Sequence, residues 1–281
     1  MPAFDVHQHL WPESLVEALR ARATPPRLVG EVLELAEGSF PADLKAHELG
    51  SRLRLLDGCG LDVAVVSLQP TLGWEEAPEL RDAYHEGIGE LVAASAGRLR
   101  AFAAGACLNG FEGACVSAGA VVRGLGTLPA ELERGEQVLF VHPGPPSPPP
   151  TGAPSWWAAV VDYTAQMQAA FWAWLAADAG RYPGLPVIFS FLAGGAPFQL
   201  ERLFARGGDV RSGLDANIYL ESSSYGRRAL ELSLDAYGAG RLLFGSDTPV
   251  LDPGPGLRAL ADLGEALAAT MLEENPTRLF T

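Results

Sequence analysis

Residues 3–9 read AFDVHQH, an apolar run that ends on His7 and His9, and the same kind of stretch recurs along the chain. Asp62–Leu68 reads DVAVVSL, Leu99–Ala104 reads LRAFAA and Gln137–His142 reads QVLFVH; Leu185–Phe191, Ala216–Glu221 and Arg241–Ser246 follow the same pattern. Short runs rich in Val, Leu, Ile and Phe are what strands covered on both faces look like. Between them lie helical patterns at Glu13–Arg22, Ala46–Cys59, Pro78–Ala96 and Ser155–Ala179, and near 197–206, 225–237 and 256–270. Ala114–Leu125 is read as a short helix followed by a strand at Val121–Leu125. This alternation predicts a parallel sheet with helices outside it. Eight repeats favour closure into a TIM-like (β/α)8 barrel over an open doubly wound sheet, and no GxGxxG follows the first strand.

The 281 residues are expected to form one such domain, 1–281, with loop insertions near 23–43 and 143–154. The second insertion, PGPPSPPPTGAP, is stiff and extended by composition. It comes directly after His142, so in a barrel it would wall or cover the site, with Trp156 beside it. The net charge of −14 argues against nucleic acid or an anionic membrane surface as partner, because both need clustered cations. The expected partner is a small molecule. No run of 18 apolar residues occurs, and residues 1–9 do not resemble a signal peptide, so a cytoplasmic location is expected. Cys59, Cys107 and Cys115 form no CxxC and are read as reduced, mostly buried residues.

The chemistry lies at the strand ends. Side chains at i and i+2 of a strand face one way, so His7 and His9 can both enter the barrel while Gln8 points out. Two ordinary histidines would give the same H-x-H. His142 ends a second apolar strand, however, and Asp247 comes after RLLFGS at the last one. Three imidazoles and one carboxylate at the C-terminal ends of barrel strands are a donor set for one divalent ion, zinc first, with manganese or another divalent ion as alternatives. Asp247 is also the candidate base beside the ion. Glu221, ending IYLE, is a further candidate for the mouth. His47 and His85 are read as surface helix residues.

DVHQHLWP, LFVHPG, VIFSFLAGGAPFQLERL, LLFGSDTP and the closing ENPTRLF resemble successive motifs of the amidohydrolase superfamily. They are most similar to the amidohydrolase-related branch that contains aminocarboxymuconate-semialdehyde decarboxylase. The resemblance implies His7, His9, His142 and Asp247 as metal ligands. It implies Arg52 as a contact for a substrate carboxylate, and Arg202 as one supplied across a homodimer interface. It also expects a histidine where this chain has Phe191, in a role that phenylalanine, lacking any hydrogen-bonding group, cannot fill. The leading expectation is hydrolysis of a small organic acid, lactone or amide by a metal-activated water. The alternatives are non-oxidative decarboxylation of a small aromatic or unsaturated acid, and a metal- and ligand-binding barrel with little catalysis.

Overall fold

The computed structural model describes residues 1–208 and 217–280. In chain order the strands are β1 (Phe4–His9), β2 (Arg27–Val29), β3 (Val32–Leu35), β4 (Gly38–Pro41), β5 (Val63–Ser67), β6 (Leu99–Ala104), β7 (Gly113–Ser117), β8 (Val138–His142), β9 (Val187–Phe189), β10 (Ile218–Glu221) and β11 (Leu242–Leu243). Eight of them pair in parallel in the order β1-β5-β6-β7-β8-β9-β10-β11. The sheet closes on itself through irregular backbone after β11. Val6 N–H donates to the Phe244 carbonyl (3.0 Å), Asp247 N–H to that of His7 (2.8 Å) and His9 N–H to that of Thr248 (2.7 Å). The architecture is the TIM-type barrel that the strand count predicts.

Alternation sorts each strand into two cores. Val6, Val65, Phe102, Phe140, Ile188 and Tyr219 fill the barrel interior. Ala64, Val66, Leu139, Val141 and Leu220 face outward, onto buried helix residues such as Leu15, Ile88 and Phe171. One irregularity sets the direction of the first two histidines. β1 pairs Asp5 with Ala64 but Gln8 with Val66, so β1 carries one extra residue over this stretch, a β-bulge. The bulge resets the alternation. Phe4 and Val6 lie inside, and His7 and His9 can enter the same interior above them.

Several expectations need correction. Residues 23–43 are not an unstructured loop, because β2, β3 and β4 form a small antiparallel sheet. Val29 pairs with Val32 and Leu35 with Gly38, which leaves the two-residue turns Gly30-Glu31 and Ala36-Glu37. Gly30 supplies the positive φ (62°) that such a turn requires. The order within Ala114–Leu125 is reversed: strand β7 comes first, then helix α4 (Ala118–Arg123). Ser117 caps that helix by accepting from Ala120 N–H at 3.0 Å, and Val121 packs inward from the helix. Gly113 starts β7 at φ 156°, where a Cβ would collide with the Val138 backbone. No helix separates β6 from β7; residues 105–112 cross back directly. The long helix expected from Ser155 begins with a π-helical turn, Ala158–Asp162, and runs on as α6 (Tyr163–Ala177). The strand expected to start at Ala216 is described only from Ile218, since Ala216 lies outside the described residues.

His47 and His85 are not surface residues. His85 is half-buried and accepts from Ala104 N–H (2.9 Å). His47 is buried, stacks on Trp11 with ring centroids 4.3 Å apart, and accepts from Trp11 N–H at 3.1 Å. Burial first, then the Arg52 guanidinium and His9, pushes His47 down to about 3 from its ordinary 6.5. The unfolded chain therefore takes up this proton first. The stability that neutral His47 contributes is complete above pH 6.5 and is lost as pH falls toward 3. In His47→Gln the acid slope of the unfolding free energy, measured in urea at several pH values, should be shallower by up to about 1.4 kcal/mol per pH unit over this window.

Candidate metal centre

The layer above Phe140 is polar, and it holds the strand-end residues that the sequence singled out. The His7 ring sits 5.0 Å from Phe140, edge-on, and His142 lies two residues beyond Phe140 on the same inward face. His7, His9, His142 and Asp247 are all buried, and one ligand atom from each lies within 4.8 Å of all the others. His7 Nε2 is 3.3 Å from His9 Nε2 and 3.5 Å from Asp247 Oδ1, and His9 Nε2 is 3.0 Å from the same oxygen. Four ligand atoms about 2.1 Å from one tetrahedral ion would lie roughly 3.4 Å apart.

The proton positions fit an ion as well. Each histidine has an acceptor at Nδ1: the Glu221 carboxylate for His7 (2.7 Å), the Ser67 carbonyl for His9 (3.2 Å) and the Pro143 carbonyl for His142 (2.9 Å). A carbonyl only accepts, so Nδ1 of His9 and His142 carries the proton, and the Nε2 lone pair is left facing the centre. His142 Nε2 is buried with no hydrogen-bond partner. Lone pairs aimed at one another and at a carboxylate repel unless a cation lies between them. Burial drives His7 down to about 4 and His142 well below its ordinary value, so both are neutral and able to ligate near neutral pH. The donor set thus fits one divalent cation.

Outside the ligands, Glu221 is completely buried and its carboxylate stands against His7 Nδ1. It accepts from Ser223 through both N–H and Oγ–H, the latter at 2.9 Å, and from Phe191 N–H at 3.4 Å. Burial nevertheless lifts it to about 7. Gly245 makes room for it, since a Cβ there would strike the Glu221 carboxylate. Alternation pointed to Ser67 and Glu221, each two residues past an inward apolar side chain, but only Glu221 was singled out. Ser223 has no pattern to announce it.

Phe191 faces the centre, with its ring 5.6 Å from His7 and 5.7 Å from His142. It opens an unusual left-handed turn in which Phe191, Leu192, Ala193, Gly194 and Gly195 all have φ between 48° and 81°. Gly194 is obligatory there, because its Cβ would collide with the Thr164 carbonyl of α6.

Three expected substrate contacts lie outside the cluster of ligands. Arg52 is buried on helix α2 (Leu49–Cys59) and donates to Gln8 Oε1 (2.7 Å), the His9 carbonyl (3.0 Å) and the Ala46 carbonyl (3.0 Å). Gln8 in turn donates to Asp5 at 2.7 Å, so Arg52 braces the outer side of β1. Arg52 also lines a cavity of about 540 Å³ together with Lys45, Thr248 and Asp252, and none of the three histidines lines it. Arg202 is exposed and lines a groove with Trp172 and Arg206, away from the histidines. Trp156 is 54% exposed and stacks on Trp157 instead of walling the site.

The profile of the amidohydrolase family matches residues 4–281. No curated protein sequence matches. Among solved structures, Metarhizium anisopliae IDCase in apo form superposes with a TM-score of 0.82 at 20% identity, covering 99% of this chain and 97% of that one. The 5-carboxyvanillate decarboxylase of Sphingomonas paucimobilis gives 0.72 at 17% identity, covering 99% and 98%. The dihydroxybenzoic acid decarboxylase of Polaromonas sp. JS666, with bound manganese and 2-nitroresorcinol, gives 0.70 at 18% identity, covering 99% and 96%.

Glu221 orients His7, so Glu221→Gln should weaken affinity for the divalent ion by roughly 10- to 100-fold in competition with a chelating dye. Gly245→Ala should act in the same direction by displacing the same carboxylate. Unchanged affinity in both variants would remove Glu221 from the metal centre.

Proposed function

The chain belongs to the amidohydrolase family, and from that premise we propose that it is a metal-dependent, non-oxidative decarboxylase of a small aromatic or unsaturated carboxylic acid. This reverses the order of the sequence reading, which placed hydrolysis first. The observation that carries the proposal is the Phe191 ring, packed against His7 and His142. Hydrolysis asks for a group beside the ion to take a proton from water; phenylalanine offers none, which leaves that task to Asp247 alone, itself a candidate ligand. Decarboxylation asks instead for an apolar wall and one proton donor. The Sphingomonas and Polaromonas decarboxylases support the same chemistry.

A bound divalent ion would supply a Lewis acid for the substrate's oxygen atoms. Zinc suits three imidazoles and a carboxylate, and the manganese in the Polaromonas protein supports manganese as the alternative. The remaining work falls to the chain itself. The bond from the ring or vinyl carbon to the carboxylate breaks, carbon dioxide leaves, and the electron pair stays on carbon, where one proton must arrive. Asp247 is 7% exposed, whereas Glu221 is fully buried, so Asp247 is the carboxyl that can exchange with solvent and carry that proton. Phe191 packs on the substrate ring and keeps water off the leaving carboxylate, which loses solvation that a more dispersed transition-state charge needs less.

The metal-loaded protein should release carbon dioxide from hydroxybenzoate-type or unsaturated acids, and in D₂O it should place one deuterium at the vacated carbon. Asp247→Asn should lower turnover by about 10²–10⁴-fold. Phe191→His should also lower it, by replacing an apolar contact with a competing ligand. Cleavage of lactones, esters or amides without any loss of carbon dioxide would restore the hydrolase reading. Tight binding of an acid without turnover would leave a ligand-binding barrel.

A further inference from the structure

We infer that the cavity between helix α2 and the segment after Asp247 binds a small monocarboxylic acid with an apolar body, and that this acid, seated outside the ring of ligands, tightens the hold of the centre on its ion. The site goes beyond the proposed reaction. Its effect rests on the four ligands assigned above, whichever reaction they serve.

The first ground is a buried cation without a counter-ion. Arg52 is 1% exposed, and its three bonds all go to neutral oxygens: Gln8 Oε1 and the carbonyls of His9 and Ala46. Asp5 is reached only through Gln8, and among the described residues no carboxylate pairs with the guanidinium directly. A charge buried this far is ordinarily paired, because it has lost the water that would stabilise it. The Arg52 Nε–H also has no acceptor among the described residues. Yet Arg52 lines a cavity of about 540 Å³, a size that suits a small-molecule ligand. Lys45, the only lysine of the chain, lines the same cavity. It is exposed, and its ammonium forms no ion pair among the described residues. Two cations with unused donors on one cavity are what a carboxylate requires.

The second ground is the remainder of the lining. Asp43 and Asp252 also face the cavity, but each is turned to its own backbone: Asp43 accepts from Lys45 N–H at 3.1 Å, and Asp252 from Gly254 N–H at 2.8 Å. Both are exposed and screened by water, whereas the Arg52 charge is not. With these two carboxylates near, a single negative charge is tolerated better than the double charge of phosphate. Leu55, Pro249 and Leu251 add an apolar wall. A carboxylate on an apolar body suits both features. The cavity also grips His9 from two sides. Arg52 donates to the His9 carbonyl at 3.0 Å, and the carbonyl of Thr248, another lining residue, accepts from His9 N–H at 2.7 Å. Thr248 directly follows Asp247. An acid that bridges Arg52 and the 248–251 segment therefore holds together the two stretches that carry His7, His9 and Asp247, three of the four candidate ligands. Sites that favour one shared arrangement raise each other's affinity by the same factor.

Because Lys45 is the only lysine, amine-reactive labelling followed by mass spectrometry reports on the cavity directly, with the N-terminal amine as internal control. On the zinc-loaded protein, hexanoate should slow labelling of Lys45 several-fold and leave the N-terminus unchanged, and inorganic phosphate should protect less. In calorimetric titration Lys45→Met should weaken hexanoate by roughly fivefold. Asp43→Asn, which keeps the cap, should tighten it. Competition with a chelating dye should show zinc held on the order of fivefold more tightly with hexanoate present, an effect that Lys45→Met reduces. Circular dichroism checks that each variant is folded. Labelling of Lys45 untouched by hexanoate, or equal binding by Lys45→Met, would overturn the site. Stronger protection by phosphate would overturn its occupant, and protection without any change in zinc affinity would overturn the link to the centre. None of these readouts involves carbon dioxide, so they stand apart from the test of the decarboxylase reading.

Discussion

Closure of the barrel between β1 and the segment after β11 is the constraint on which the remainder depends. β11 has only two residues in regular pairing, so the seam is completed by backbone bonds from the irregular stretch 244–248. Those bonds run through the candidate ligands themselves. Asp247 N–H is held by the His7 carbonyl, and His9 N–H by that of Thr248. Asp247 takes φ 65°, a left-handed conformation that a short polar residue tolerates better than most. Its carbonyl then accepts from Val250 N–H at 2.9 Å and Leu251 N–H at 3.2 Å, which locks the turn. The interactions that join the first strand to the last therefore also set a carboxylate beside two imidazoles. A loosened seam would lose both barrel closure and the metal geometry.

The polar layer inside such a seam is costly to bury, and the chain offsets the cost with directed hydrogen bonds. Burial depresses the His7, His47 and His142 imidazoles and lifts the Asp5 and Glu221 carboxyls. Each has an identified partner. Asp5 accepts from the backbone of His7 at 3.2 Å and of Ser246 at 3.0 Å, so one carboxylate grips both sides of the seam. Arg52 reaches that carboxylate through Gln8 and reinforces it from outside. An arginine whose guanidinium makes these three bonds supports the metal strand from its outer side.

The sequence was most informative where periodicity and chemistry agreed. Apolar runs ending on His7, His9, His142 and Asp247 located barrel strands and the polar layer together, since in a closed sheet the inward positions of different strands must converge. It was least informative where one local feature outweighed the pattern. Val121 and Val122 suggested a strand, but the Ser117 cap and the alanines after it make a helix. The Gly and Pro content of residues 23–43 hid two tight turns that a count of residues between β-rich triplets would have shown. The role of Arg52 was not legible, because whether a helix arginine faces the ligand or the back of a strand depends on the Ala46–His9 spacing, which exists only in the folded chain. The bulge in β1 was equally hidden, although the inward direction of His7 depends on it.

The centre and its surroundings are built differently, and that difference allows them to diverge. The ligands sit on strand ends that closure holds rigid, whereas the Phe191 ring beside them is carried by a connection, the left-handed turn after β9. Side chains on connections can change without reopening the seam. Phe191 shows that such a change need not be passive. A phenylalanine at φ 53° is strained by roughly 1–2 kcal/mol relative to ordinary helical backbone. The turn persists because Gly194 lies against the Thr164 carbonyl and Gln168 donates to the Gly194 carbonyl at 2.7 Å. Tertiary contacts with α6 thus impose the conformation. The apolar wall beside the candidate ligands is therefore fixed by how this turn packs on α6, and a change in that packing would move the Phe191 ring off His7 and His142.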